Sequence, residues 1–175
     1  MRRDLEVPRY TVSDYQKWEG DWELIHGYPY AMSSAKMKHQ LIALNIASEF
    51  KESIKKSGCD KCRAVNELDW ILADDSVVRP DVMIICGSFT DDFLRYPPTL
   101  VVEILSESTR MKDRNDKFNL YESAGVQFYL LVDSLKDTIE VFELINNRFA
   151  SKKDNFNFQL DKNCLVNLNT AAVFS

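Results

Sequence analysis

Apolar and polar residues along this chain follow two rhythms, one of period 3.6 and one of period two. Residues 11–18 read as a short helix, with Thr11 and Asp14 in capping-box spacing. Trp22-Glu23-Leu24-Ile25 and Tyr28-Pro29-Tyr30-Ala31-Met32 read as a hairpin around His26-Gly27. The glycine supplies the positive φ of the turn, and Pro29 keeps the second strand at a sheet edge. Residues 34–56 form the longest helical pattern. Met37, Leu41, Leu44 and the run from Ile46 to Phe50 recur at helical spacing, Lys55 and Lys56 crowd its end, and Gly58 stops it.

Three strands are expected next, over residues 64–72, 77–86 and 99–105, the last two separated by a polar loop. Residues 112–123 read as a helix stopped near Gly125. A strongly apolar strand follows over 126–133, with a partner over 138–145 and peripheral strands over 148–151 and 156–160. This order predicts an α/β (α+β) domain with helices packed on a mixed sheet. A chain of 175 residues, 45% hydrophobic and 28% charged, suits one such domain over 1–175, with its core over about 10–145. The apolar runs are too short to span a membrane, and Met1-Arg2-Arg3-Asp4 leads into no apolar stretch of a signal peptide. A cytoplasmic protein is expected.

The net charge of −5 argues against a passive nucleic-acid-binding module, which ordinarily carries a basic stripe. It argues less against a nuclease, because a bound divalent cation turns an acidic site locally positive. Of the four cysteines, Cys59 and Cys62 form a C-x-x-C, half of a zinc site. Cys86 and Cys164 stand alone in the sequence, so reduced thiols in a turn are expected.

The candidate chemistry lies in the second and third strands. Both are too apolar for the surface, yet each carries a carboxylate. By period two, Arg79, Asp81, Met83 and Ile85 share one face, as do Val101, Glu103 and Leu105. A buried, unpaired carboxylate costs several kcal/mol (order of magnitude), so each acid needs a cation. Arg79 is one available partner for Asp81. The other is a metal shared by both acids, with room for a phosphate oxygen and a water. A positive group two residues after Glu103 is missing, since that place holds Leu105. The following helix offers Asp113, Lys117 and Tyr121, four apart on one face, which also fits an exposed ion pair.

At these residues the chain resembles the Uma2-like family of bacterial proteins (the DUF820 domain), within the PD-(D/E)xK restriction-endonuclease-like superfamily. The resemblance rests on Trp22-Glu23-Leu24-Ile25-His26-Gly27, His39, Arg79-Pro80-Asp81-Val82, the run from Leu100 to Thr109, the run from Asp113 to Lys117, and Tyr121 to Tyr129. It implies an αβββαβ restriction-endonuclease-like core, here with an N-terminal helix and hairpin and peripheral C-terminal strands. It implies Asp81 and Glu103 as ligands of Mg2+ (or Mn2+), and Lys117 as the catalytic lysine moved onto the helix. Glu23, His39, Asp113 and Tyr121 are implied as supporting residues. His26 replaces the aspartate often found before the turn glycine, and Ser106-Glu107-Ser108 departs from Ser-Pro-Ser. Two functions are therefore expected to compete: an Mg2+-dependent endonuclease acting on nucleic acid, DNA foremost, and an inactive binding or assembly module of the same fold. Such nucleases often dimerise, and Phe128, Tyr129 and Phe142 serve equally well for a homodimer interface or for the core.

Overall fold

The computed structural model describes residues 7–88, 91–153 and 156–175. In chain order the elements are α1 (Val12–Tyr15), β1 (Trp22–Ile25), β2 (Tyr28–Ala31), α2 (Met37–Lys56), β3 (Cys62–Asn66), β4 (Trp70–Ala73), β5 (Ser76–Val78), β6 (Val82–Cys86) and β7 (Leu100–Leu105). Then come α3 (Arg110–Lys112), a π-helical turn (Asp113–Lys117), α4 (Phe118–Ala124), β8 (Phe128–Asp133), β9 (Thr138–Ile145), β10 (Arg148–Ser151), β11 (Asn157–Asp161), β12 (Cys164–Asn167) and α5 (Thr170–Val173).

Every residue of β7 and of β8 is buried. Strands this apolar need cover on both faces, and a parallel pair needs a crossover between its strands. Both conditions are met. β7 and β8 run parallel at the centre of a six-stranded mixed sheet, ordered β10-β9-β8-β7-β6-β3, and the helical segment over 110–124 makes the crossover. On one face Ile42, Ile46 and Phe50 of α2 pack with Val102, Ile104 and Leu130, closed by Phe158 and Val166 of the β11–β12 hairpin. On the other face Val101, Leu105 and Leu131 pack with Leu120 and Tyr121 of α4 and with Trp70 and Ile25 of a second sheet. That sheet has the order β2-β1-β5-β4, with the Pro29 strand at its edge as expected.

Several expectations change. The strands expected over 64–72 and 77–86 are each broken in two, β3 with β4 and β5 with β6, so that this long hairpin leaves one sheet and enters the other. The breaks fall near Glu67, whose φ is +49°, and at Pro80, which has no N–H for a ladder. Asp81 therefore lies at the bend just before β6, not inside a strand. On α2, Met37, Leu41 and Leu44 are 81%, 50% and 62% exposed, and the buried stripe is Ile42, Ala43, Ile46, Phe50 and Ile54. Two apolar rows share the helix, and the row with its β-branched and aromatic members is the one that meets the sheet. Phe128 and Tyr129 are core residues with Phe142 packed beside them, so they offer no dimer surface.

The cysteines are not free thiols in a turn. Cys59 bridges Cys164 and Cys62 bridges Cys86. The C-terminal chain supplies Cys164 to a partner 105 residues earlier, a meeting that no local spacing foretells. Among the described residues, no helix is long and apolar enough to cross a membrane.

Candidate functional site

The register Val82↔Val102 and Met83↔Val101, continued by one residue, sets Asp81 opposite Glu103. Glu103 occupies the sheet face of Val101 and Leu105, as the period-two pattern requires, while Asp81, at the bend, reaches His39 of α2. Glu103 is 3% exposed and Asp81 is half-buried. Arg79 does not pair with Asp81. Its guanidinium lies 2.6 Å from Asp69 and 2.6 Å from Asp21, and Tyr15 donates to the same Asp69. Asp81 Oδ2 instead accepts the Ile104 N–H at 2.6 Å and stands 3.2 Å from His39 Nε2. His39 Nδ1 is buried without a partner.

Glu103 faces the helical segment. Lys117 Nζ lies 2.8 Å from Glu103 Oε1 and 2.6 Å from Glu23 Oε1, and Tyr121 Oη donates to Glu103 Oε1 at 2.7 Å. Asp113 Oδ1 sits 3.9 Å from the same ammonium and is otherwise a buried orphan. Asp113, Lys117 and Tyr121 are 2%, 3% and 0% exposed, so the alternative of an exposed ion pair is excluded. Three elements thus bring one carboxylate each to Lys117: β1 of the smaller sheet, β7 of the larger, and the π turn.

The π turn itself has a visible cause. Tyr129 Oη donates at 2.9 Å to the Asp113 carbonyl, the group that an α-helix would reserve for the Lys117 N–H. Such turns recur at functional sites. Here it also recruits a residue the sequence pattern missed. Residues five apart sit about 140° apart around an α-helix. The i→i+5 bonding of the π turn brings Lys112 to the side of Lys117, where its Nζ lies 2.5 Å from Glu23 Oε2. Glu23 also accepts the Arg79 N–H at 3.0 Å, which leaves it held from three directions.

The charges of this cluster do not balance. Four carboxylates (Glu23, Asp81, Glu103, Asp113) face two lysines and one histidine. Burial would raise Glu23, but Lys117 and Lys112 outweigh it and hold its carboxyl below the usual range. Burial pushes Glu103 well up; Lys117 opposes this, while Asp113, Asp81 and Glu23 reinforce it. Burial also raises Asp113 against the pull of Lys117. Burial would lower Lys117, yet Glu103, Glu23 and Asp113 drive it well above the ordinary lysine value. The surplus of negative charge invites a divalent cation, and hard carboxylate oxygens suit one. The residues present therefore fit a cation between Asp81 and Glu103. Among the described residues no three histidine or carboxylate side chains are gathered around one metal position, and both lysines hold the third acid, Glu23.

Comparison with known proteins places this geometry in context. The crystal structure of a "putative nuclease belonging to DUF820" from Anabaena variabilis has the same fold, with a TM-score of 0.75, 17% identity, and coverage of 94% of this chain and 97% of that one. "Uncharacterized protein slr1290" of Synechocystis sp. is 29% identical over 143 residues, 77% of this chain and 74% of its own. "Uncharacterized protein sll1609" of the same organism is 34% identical over 84 residues, 45% of this chain and 48% of its own. The model of the Uma2 family, described as "Putative restriction endonuclease", matches residues 12–166, which hold the sheet and every residue of the cluster, and the chain belongs to that family.

Proposed function

We propose that this chain hydrolyses phosphodiester bonds of nucleic acid, DNA foremost, with Mg2+ or Mn2+ held by Asp81 and Glu103. The observation that carries the reading is the buried cluster in which Lys117 lies against Glu103 and Glu23, with Asp81 at the bend that leads into the neighbouring strand. When bound, such an ion neutralises a phosphate and acidifies a water molecule. The remaining work falls to the chain's own residues. The Ile104 N–H and His39 aim Asp81, and Tyr121 pins Glu103. Outer partners of this kind orient metal-binding carboxylates.

In the reaction a water oxygen bonds to phosphorus, the P–O ester bond breaks, and the proton that the water releases balances the one that the leaving oxygen takes up. Lys117 is an ammonium ion clasped by two carboxylates, so its role is to orient the water and to offset developing negative charge rather than to abstract a proton. Lys112, nearer the surface, supplies a second positive charge. The cytoplasm as its compartment and a homodimer presenting two such sites to two strands belong to the same proposal, and sedimentation measures the latter.

Plasmid nicking with Mg2+ or Mn2+ tests the reading. Wild type is expected to cut, and Asp81→Ala and Lys117→Ala to lose most cleavage. Wild-type cleavage no greater than that of the variants, across DNA and RNA substrates, would sink it. The net charge of −5 suits a non-cleaving module that assembles with a partner other than nucleic acid, and an absence of cleavage would favour that reading instead.

A further inference from the structure

The four cysteines meet at one place, far apart in sequence and unused by the proposed hydrolysis. Cys59 and Cys62 flank the turn after α2, Cys86 ends β6, and Cys164 opens β12. The two bridges touch, for Cys62 Sγ and Cys164 Sγ lie 3.9 Å apart. Cys59, Cys62 and Cys164 are buried, and Cys86 is half-buried.

We propose that in their reduced form Cys59, Cys62, Cys86 and Cys164 bind one zinc ion through four thiolates, a site which fastens the C-terminal hairpin to the sheet. Three observations carry this. The first is ligand number and placement: a C-x-x-C turn gains, by folding, the second pair that a structural zinc site requires. The second is spacing. A tetrahedron with Zn–S bonds of about 2.3 Å has S–S edges of about 3.8 Å, and the non-bonded pair Cys62 and Cys164 already stands at 3.9 Å. The third is charge. Four thiolates around Zn2+ carry −2, and the Arg63 guanidinium stands over the turn, donating to the Asp60 carbonyl at 2.7 Å and the Cys62 carbonyl at 2.8 Å. Within the turn itself Asp60 and Lys61 offset each other, and Lys55 and Lys56 stand in the last turn of α2.

The chemistry balances. Two equivalents of a dithiol deliver four electrons and four protons to the two disulfides, giving four thiols and two oxidised dithiols. One Zn2+ then displaces the four thiol protons. A chain held in a reducing compartment loses its disulfides, and zinc restores the same cross-link. Structural zinc contributes directly to folding free energy. Cys164 is the β11–β12 hairpin's sulfur in this cluster, so the hairpin that seats Phe158 and Val166 in the core depends on it.

The test uses the full chain purified with a dithiol reductant, with zinc counted by elemental analysis and thiols by alkylation and mass spectrometry. The expected result is one zinc per chain, thiolate-to-cobalt charge-transfer bands on replacement with Co2+, and zinc release as peroxide re-forms the disulfides. Cys86→Ser and Cys164→Ser are expected to lose the zinc, and Asp81→Ala to keep it, which separates this site from the carboxylate cluster. The wild-type cobalt spectrum does not depend on whether a variant folds. Four free thiols without zinc, charge-transfer bands absent, disulfides that resist the dithiol, or undiminished zinc in Cys164→Ser would each overturn the proposal.

Discussion

The ammonium of Lys117 rests 2.8 Å from Oε1 of Glu103, and both groups are buried almost completely. Neither is tolerable there alone, since breaking a buried pair by removing one partner costs about 3–5 kcal/mol. Lys117→Met is therefore expected to lose about 3 kcal/mol of stability at neutral pH in urea unfolding. The double variant Lys117→Met, Glu103→Gln should recover a large part of it, because the stranded charge is gone. A loss in the double variant equal to the sum of the losses in Lys117→Met and Glu103→Gln would show that the pair is not coupled.

Tyr121 acts on Glu103 through a single hydrogen bond of 2.7 Å. Removing an outer partner of a metal-binding group typically costs about 10–100-fold in metal affinity. In calorimetry with Mn2+, Tyr121→Phe should bind about 10-fold or more weakly and Glu103→Ala should not bind. Unchanged affinity in both would place the cation elsewhere.

Asp133 gives a pH dependence with a definite sign. The Arg110 guanidinium 2.9 Å away outweighs the opposing effect of burial and, with the Leu135 and Lys136 N–H groups, lowers its pKa to about 2. A depressed folded value contributes stability that is present above the ordinary aspartate range and is lost as pH falls toward the folded value. The melting temperature of wild type should therefore exceed that of Asp133→Asn at neutral pH, with the gap closing between about pH 4 and pH 2. A gap that stays constant over that window would remove Asp133 as its source.

The two apolar rows of α2 predict opposite outcomes. Ile46 is fully buried, and Ile46→Ala should cost about 2–5 kcal/mol. Leu44 is 62% exposed, and Leu44→Ala should stay within about 0.5 kcal/mol. Chemical denaturation of both variants measures the difference, and comparable losses would show the outer row to be covered in solution.

Much of this architecture is legible without coordinates because it is local. Gly27 and Gly125 adopt the positive φ their turns demand, Pro29 sits at an edge, and period two alone puts Glu103 on the face of Val101 and Leu105. Burial arithmetic marks Asp81 and Glu103 as acids in need of a cation, and helical spacing aligns Asp113, Lys117 and Tyr121. What local pattern cannot carry is which distant surfaces meet. The sheet switch near Glu67 and at Pro80, the pairing of Arg79 with Asp69 and Asp21, and the choice of Ile42 and Ile46 over Leu41 and Leu44 were settled by packing between elements. So was the π turn, which needs the Tyr129 hydroxyl from another strand before Lys112 can reach Glu23. The sequence by itself marked the two carboxylates, the face of Val101 and Leu105 for Glu103, and the row of Asp113, Lys117 and Tyr121. Only the tertiary structure decided their partners and gathered four scattered cysteines, because contacts between residues 14 to 105 positions apart form once loop closure has been offset by burial of the core.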